Sequence, residues 1–141
     1  MQPIQFLTKL CQGWRIANPL RDYRYADSVN FQKNLAIYRV LKDTVRLKGK
    51  GDTMYKFVPF RYEFDDFAGT RNWTNMFVSK LLVTRKGNCH SLPYLYKILA
   101  EETGASCWFS LAPNHIYIKN RSKEHGWYNT ELTSGVFPVD A

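Results

Sequence analysis

The sequence contains few cysteines. Cys11, Cys89 and Cys107 are three in 141 residues, an odd number, and no two of them form a C-x-x-C pair. A disulfide framework and a zinc knuckle both require paired cysteines, so the sequence predicts neither of them. At least one thiol is expected to be free.

Long hydrophobic runs are also missing. No run approaches the ~18 to 20 apolar residues that a membrane span requires, and Gln, Thr and Lys interrupt the start where a signal peptide would be apolar. We therefore expect no membrane association and a soluble protein, cytoplasmic as given or exported if an upstream signal was removed. The 45% hydrophobic and 16% aromatic content predicts one folded domain over residues 1–141.

The net charge of +8 raises the question of nucleic-acid binding. The basic residues are scattered, however, and the densest group, Arg46, Lys48 and Lys50, accompanies no known reader motif. This pattern favours a solvated basic face or acidic partners over nucleic acid. No phosphate-binding loop is predicted, because GKGD (residues 49–52) lacks the Ser or Thr that follows in a P-loop.

Residues 1–79 are predicted to form a mainly helical accessory part. Pro3, Gly13 and Pro19 interrupt residues 1–30, which predicts at most a short, peripheral helix there. Spacings of three and four predict helices over residues 31–47, capped by Ser28 or Asn30, and over residues 72–84. Pro59 makes residues 55–67 an irregular or edge-like segment.

Residues 80–141 are predicted to form a helix followed by strands. A helix begins near Cys89, with Pro93 in its first turn and Gly104 at its end; its apolar stripe is Leu92, Leu95, Tyr96 and Leu99. The pattern then changes to three antiparallel strands, ASCWFSL, HIYIKN and WYNTEL. The fold class predicted is therefore α+β.

Cys89 is the candidate nucleophile. A thiol at a helix N-terminus has a lowered pKa, and a nearby histidine lowers it further. His90 is a poor base for it, because adjacent helical residues point about 100° apart, and His125 lies in a polar connection where exposure is expected. Cys11 and Cys107 are interpreted as buried structural thiols.

His115 is the candidate base, because it begins a strand on the face opposite to Ile116 and Ile118. If residues 119 and 127 pair, Glu131 lies directly across from His115, about 5 Å away at Cβ, and can orient the imidazole. A shift of two positions along one strand would put Asn129 there instead, and the sequence leaves both registers open.

These residues resemble a known pattern. Gly87, Asn88 and Cys89 open a helix, His115 follows on a strand, and the motif G-W-x-x-x-E (Gly126, Trp127, Glu131) comes next. This order is similar to that of the transglutaminase-like superfamily, which has the papain-like cysteine protease fold; Glu131 stands where that family usually has Asp. The resemblance covers residues 80–135.

The resemblance implies a papain-like core, with the nucleophile helix packed on a small antiparallel sheet. It implies a cysteine acyl hydrolase or transferase acting on peptide or isopeptide bonds through a thioester, with a peptide or protein as substrate and no cofactor or metal. The catalytic residues would be Cys89, His115 and Glu131, and candidates for substrate contact or oxyanion stabilisation are Asn129, Trp127 and Trp73. Trp127 is expected to pack beside the site. The alternative is a degenerate module of the same fold that binds a peptide, a glycan or a partner protein.

Overall fold

The computed structural model of the chain describes residues 2–20, 26–48, 51, 54–57, 59–62, 77–88, 90–112, 115–123, 126–130 and 132. Within these ranges the helices are α1 (Pro3–Ala17), α2 (Ser28–Lys42), α3 (Val78–Thr84) and α4 (Ser91–Thr103). The strands are β1 (Val45–Lys48), β2 (Met54–Phe57), β3 (Arg61–Tyr62), β4 (Lys86–Gly87), β5 (Trp108–Ala112), β6 (His115–Ser122) and β7 (Gly126–Thr130). The fold is mixed α+β.

Helix α4 lies in the middle of the hydrophobic core. The stripe predicted from the sequence is its buried side: Leu92, Leu95, Tyr96 and Leu99 are each 0% exposed. Helices α1, α2 and α3 pack against it, and strand β6 contacts it too. Gly104 ends the helix with φ 78°, a left-handed conformation that glycine adopts without strain. The predicted helix after Cys89 and its glycine stop are confirmed.

The short, peripheral helix predicted for the first 30 residues is wrong. Helix α1 has 15 residues and contributes Leu7, Leu10 and Cys11 to the same core as α4. Pro3 does not break it, because a proline in the first turn removes an N–H that has no helical acceptor. Gly13 is tolerated within the helix. Since both residues are compatible with a helix at these positions, the spacing of the apolar residues decides the structure.

The predicted helix over residues 31–47 ends earlier than expected. Helix α2 stops at Lys42, and Asp43 is extended (φ −110°, ψ 153°). Val45, which has helical spacing from Leu41, instead begins β1 and pairs with Phe57 of β2 in an antiparallel hairpin. The residue preceding α2 is Asp27, so neither Ser28 nor Asn30 is its cap.

The segments between the hairpin and α4 are short. Strand β2 and the two-residue β3 replace part of the irregular segment predicted over 55–67, and residues 63–67 lie outside the described part. Of the helix predicted over 72–84, α3 covers Val78–Thr84, and residues 72–76 are not among those described. Arg85, with φ 60°, ends α3. Strand β4 then pairs in parallel with β3, Tyr62 opposite Gly87.

Strands β5, β6 and β7 form an antiparallel sheet with β6 in the centre, as the sequence predicts. One face of β6 packs toward the helices: Ile116, Ile118, Asn120 and Ser122 are buried. The alternate residues from Tyr117 onward lie on the opposite face, as the period of a strand requires. No helix in the described part of the chain is long and apolar enough to cross a membrane.

Candidate active site

The segment that leads into α4 is tightly packed. Gly87 ends β4 and is buried. A Cβ at this position would lie 2.6 Å from Ser91 Oγ, 2.8 Å from Leu81 Cδ1 and 3.1 Å from Leu92 Cγ. Because these distances leave no room for a methyl group, only glycine allows β4 to approach α3 and α4 so closely.

Asn88 caps the N-terminus of α4. Its Oδ1 accepts hydrogen bonds from the backbone N–H of His90 (2.9 Å) and of Ser91 (3.0 Å). Ser91 Oγ accepts in return from the backbone N–H of Asn88 (3.0 Å), and the Leu92 N–H donates to the Asn88 carbonyl (3.3 Å). This is the reciprocal arrangement of a capping box, here with Asn as the first and Ser as the fourth residue. Two donors of the first turn are therefore satisfied by one buried side chain.

Cys89 itself lies outside the described residues. Its two neighbours, Asn88 and His90, are described, and the cap fixes both of them immediately before α4. Asn88 and Ser91 are functional residues of this turn that the sequence-based candidates do not include. The signal was available, because N-x-x-S immediately before an apolar stripe has the spacing of a capping box.

The start of α4 lies at the end of the sheet where β6 begins. Lys97 Nζ donates to the Cys107 carbonyl at 2.7 Å, and the Tyr94 ring lies 5.7 Å from the Phe109 ring. Helix α4 and strand β5 therefore run in opposite directions. Six residues separate Asn88 from Tyr94, about 9 Å along the axis of α4 at the helical rise. A similar distance of about 9 Å along β5 separates Phe109 from Ala112. Ala112 pairs with His115.

His115 is the first residue of β6, as predicted, and its side chain lies outside the described part of the structure. The residues at alternate positions after it, Tyr117, Lys119 and Arg121, belong to the face turned away from the buried Ile116 and Ile118. Glu131 follows the last residue of β7 and is not among the described residues.

The predicted pairing of residues 119 and 127 is wrong. The observed register pairs Lys119 with Asn129 and Arg121 with Trp127. Strand β6 continues to Ser122, which pairs with Gly126, so the connection is shorter than the sequence pattern indicated. Gly126 has φ 66°, a conformation common where a short hairpin connection re-enters a strand. Asn129 therefore lies opposite Lys119, not His115.

Of the remaining candidates, Trp73 and His125 lie outside the described residues. Trp127 was expected to pack beside the site, but its side chain is 53% exposed and contacts Trp108, Lys119 and Arg121 on the outer face of the sheet. Asn129 is exposed on the same face. No group of three or more His, Cys, Asp or Glu side chains able to hold a metal occurs among the residues whose placement is described.

Cys11 and Cys107 are free and buried, which confirms their interpretation as structural thiols. Burial raises the pKa of the Cys11 thiol to about 12 from the ordinary 9.0, and a backbone hydrogen bond opposes this only in part. Burial likewise raises the pKa of Cys107 to about 11. Neither thiol is a nucleophile at neutral pH, because the thiolate is the reactive form.

The two buried thiols predict a loss of stability in alkali. In the unfolded chain they lose their protons near pH 9.0, whereas in the folded protein they keep them until about pH 11 to 12. Unfolding therefore releases protons between these values, and the free energy of unfolding falls as the pH rises above 9. Urea titrations at pH 8, 9.5 and 10.5 measure this slope. A Cys11→Ala/Cys107→Ala variant should have a smaller slope, and an unchanged slope would contradict the prediction.

Comparison of the chain with protein-family models, with curated proteins and with solved structures found no match.

Proposed function

We propose that the chain is a cysteine acyl hydrolase or acyltransferase with a papain-like, transglutaminase-like core. Cys89 is the nucleophile, His115 is the general base and acid, and Glu131 orients His115. The Cys89 thiolate attacks the carbonyl carbon of a peptide or isopeptide bond, and the amine leaves with a proton from His115. Water or a second amine then attacks the thioester and releases the thiolate.

The capped N-terminus of α4 is the observation that carries this proposal. Asn88 and Ser91 hold the first turn in place on either side of the thiol, and α4 is 13 residues long. The dipole of a helix of this length favours a negative charge at its N-terminus, which lowers the pKa of a thiol there. At Cys11 and Cys107, by contrast, burial raises the pKa of the thiol.

The antiparallel course of α4 and β5 provides further support. It brings the start of α4 and the start of β6 to one end of the sheet, since Tyr94 contacts Phe109 and Ala112 pairs with His115. A nucleophile on the helix and a base at the first position of β6 require this arrangement of elements. Strand β4 leading through Gly87 directly into α4 also agrees with the proposed core.

Alkylation of Cys89 as a function of pH tests the proposal. With iodoacetamide and peptide mass spectrometry, we expect the rate at Cys89 to fall by less than about tenfold between pH 8.5 and pH 6, as for a thiol of lowered pKa. An ordinary exposed thiol loses more than about 100-fold over this range. Cys11 and Cys107 should remain unlabelled in the folded protein because they are buried.

Two histidine variants make the test specific. His115→Gln is expected to reduce the alkylation rate at pH 6, because the imidazolium partner of the thiolate is lost. His90→Gln is the matched control: it removes the sequence neighbour of Cys89 and should leave the rate within about twofold, since adjacent helical residues do not face each other. If Cys89 titrates as an ordinary thiol, or if the two variants behave alike, the catalytic proposal fails.

The second candidate function is a binding module without turnover. The strand register favours it, because Asn129 pairs with Lys119 and not with His115. The alternation of β6 favours it too, because the residues in phase with His115 lie on the face away from α4. A protein that labels at Cys89 as an ordinary thiol and still binds a ligand when Cys89→Ser is introduced would be such a module.

A further inference from the structure

The outer face of the three-stranded sheet carries aromatic and basic side chains. Antiparallel pairing places Trp108 of β5 opposite Lys119 of β6, and Trp127 of β7 opposite Arg121. We call this set the tryptophan face; its members are Trp108, Lys119, Arg121 and Trp127. Lys119 and Arg121 are two residues apart on β6, and strand pairing adds the two tryptophans from β5 and β7.

The two tryptophans contact each other and remain open to solvent. Their ring centroids are 5.3 Å apart with an interplanar angle of 64°, an edge-to-face contact. Trp108 is 47% exposed and Trp127 is 53% exposed. Large aromatic side chains of this kind are depleted from ordinary solvent-facing surfaces and enriched in interfaces, often together with Arg. The face therefore has the composition of a binding surface.

Both cations of the tryptophan face lie against the same ring. Lys119 Nζ is 5.6 Å from the centroid of Trp127, and Arg121 Cζ is 5.7 Å from it. Attraction to the negative face of an indole holds a cation at this distance and reduces its rotamer freedom. The ion pair within the described part of the chain, Arg39 with Asp43, involves neither of them. Among the residues that the structure describes, no carboxylate occupies their donor groups, which can therefore bind an external anion.

We propose that the tryptophan face binds an extended acidic polypeptide segment with carboxylates at alternate positions. Lys119 and Arg121 are two residues apart on β6, a separation of about 7 Å along the strand. Side chains at i and i+2 of an extended peptide point to one side with the same spacing, so one carboxylate meets each cation. Arg121 can bind its carboxylate through two donors, and Trp108 offers apolar surface to the intervening chain.

The geometry favours carboxylates over the bases of a nucleic acid. Base stacking requires an open ring face; both cations lie over the ring of Trp127, which leaves Trp108 as the one ring of the tryptophan face for a base to stack on. Two cations also neutralise few phosphates, and binding to a nucleic-acid backbone gains its strength from many such contacts. The inference does not depend on thiol chemistry, so it can be tested independently of the proposed function.

Fluorescence anisotropy with the Cys89→Ser variant of the 141-residue chain provides the test. The probe is a fluorescein-labelled octapeptide of alternating glutamate and serine, and an alternating glutamine and serine octapeptide is the neutral control. We expect the acidic peptide to bind more tightly than the neutral one. In Lys119→Gln/Arg121→Gln its affinity should fall by about tenfold or more, because two charge-assisted contacts are lost.

A matched variant controls for net charge. Lys9→Gln/Arg46→Gln removes the same charge from exposed positions on α1 and β1, and should weaken binding by less than about twofold. Trp127→Leu keeps both cations but removes the ring that orders them, and should weaken binding by about threefold. Circular dichroism confirms that each variant is folded.

Three results would overturn the proposal. The first is equal affinity for the acidic and the neutral peptide. The second is an equal effect of the two double variants, which would show that only net charge matters. The third is tighter binding of a single-stranded oligothymidylate of equal charge, provided that Lys119→Gln/Arg121→Gln abolishes this binding. Nucleic acid would then be the occupant of this face.

Discussion

Asn34→Ala is expected to lower the free energy of unfolding by about 3 kcal/mol. Asn34 is 0% exposed in α2, and its side chain makes hydrogen bonds in two directions. Its Oδ1 accepts from the Tyr96 hydroxyl at 2.7 Å, and its Nδ2 donates to the carbonyls of Asn30 (3.0 Å) and Ser106 (3.1 Å). Alanine would remove all three of these hydrogen bonds, at about 1 kcal/mol each. The Tyr96 hydroxyl would keep the Asn34 backbone carbonyl (3.1 Å), and the Ser106 carbonyl would keep Asn30 Nδ2 (3.4 Å).

This asparagine connects α2, α4 and the start of the sheet. Tyr96 lies in the core of α4, and burial raises the pKa of its hydroxyl well above the usual value, so it remains a neutral donor. Ser106 lies in the connection from α4 to β5, where Asn30 also binds it. The same contacts that stabilise the core therefore hold β5 in its position along α4. A shift of β5 would move the start of β6 relative to the N-terminus of α4.

Chemical denaturation of three variants measures the effect. Tyr96→Phe, which removes only the hydroxyl, should cost about 1–2 kcal/mol, and the double variant Asn34→Ala/Tyr96→Phe should cost less than the sum of the two single changes. Asn129→Ala is the matched control, because Asn129 is exposed on β7 and its loss should change stability by less than about 0.5 kcal/mol. Additive costs in the cycle would show that the two side chains do not interact as described.

Local patterns predicted the part of the fold that depends on local physics. The stripe from Leu92 to Leu99, Pro93 in the first turn and Gly104 at the end each favour the same helix, so α4 could be predicted. Helix α1 could not, because Pro3 and Gly13 were interpreted as breakers without regard to their positions within a helix. Val45 was assigned to a helix because its spacing from Leu41 fits one, whereas pairing with β2 determines its structure.

In the candidate site, too, the features formed by residues close in the sequence could be predicted, and those that depend on distant residues could not. The cap consists of residues that are close in the sequence, so the N-x-x-S spacing of Asn88 and Ser91 predicts it. The relation of His115 to a residue on β7 depends on strand register, which is not local. A strand that continues two residues further, to Arg121 and Ser122, changes every pairing with β7. Both residues are polar, and the sequence pattern places them in the connection, although Ser122 is buried in the sheet.

Gly87→Ala is expected to destabilise the protein by about 1–3 kcal/mol, the usual cost of overpacking. The added Cβ would lie 2.6 Å from Ser91 Oγ and 2.8 Å from Leu81 Cδ1, closer than nonbonded atoms approach. Relief requires Ser91 to move, and Ser91 Oγ accepts the hydrogen bond from the Asn88 N–H. Alanine at this position therefore disturbs the hydrogen bonding of the cap itself. Thermal and urea denaturation measure the stability change.

The same substitution should alter the reactivity of Cys89. If the cap lowers the pKa of the thiol by fixing the first turn of α4, its disruption in Gly87→Ala should raise that pKa and slow alkylation at pH 6. Gly13→Ala is the matched control. A Cβ at Gly13 meets nothing within 4 Å inside α1, so this change should raise stability by about 1 kcal/mol and leave the alkylation rate unaltered. We therefore expect Gly87→Ala to lower the stability and Gly13→Ala to raise it. Stabilisation by Gly87→Ala, or an equal rate in both variants, would mean that close packing of Gly87 against Ser91 does not control the thiol.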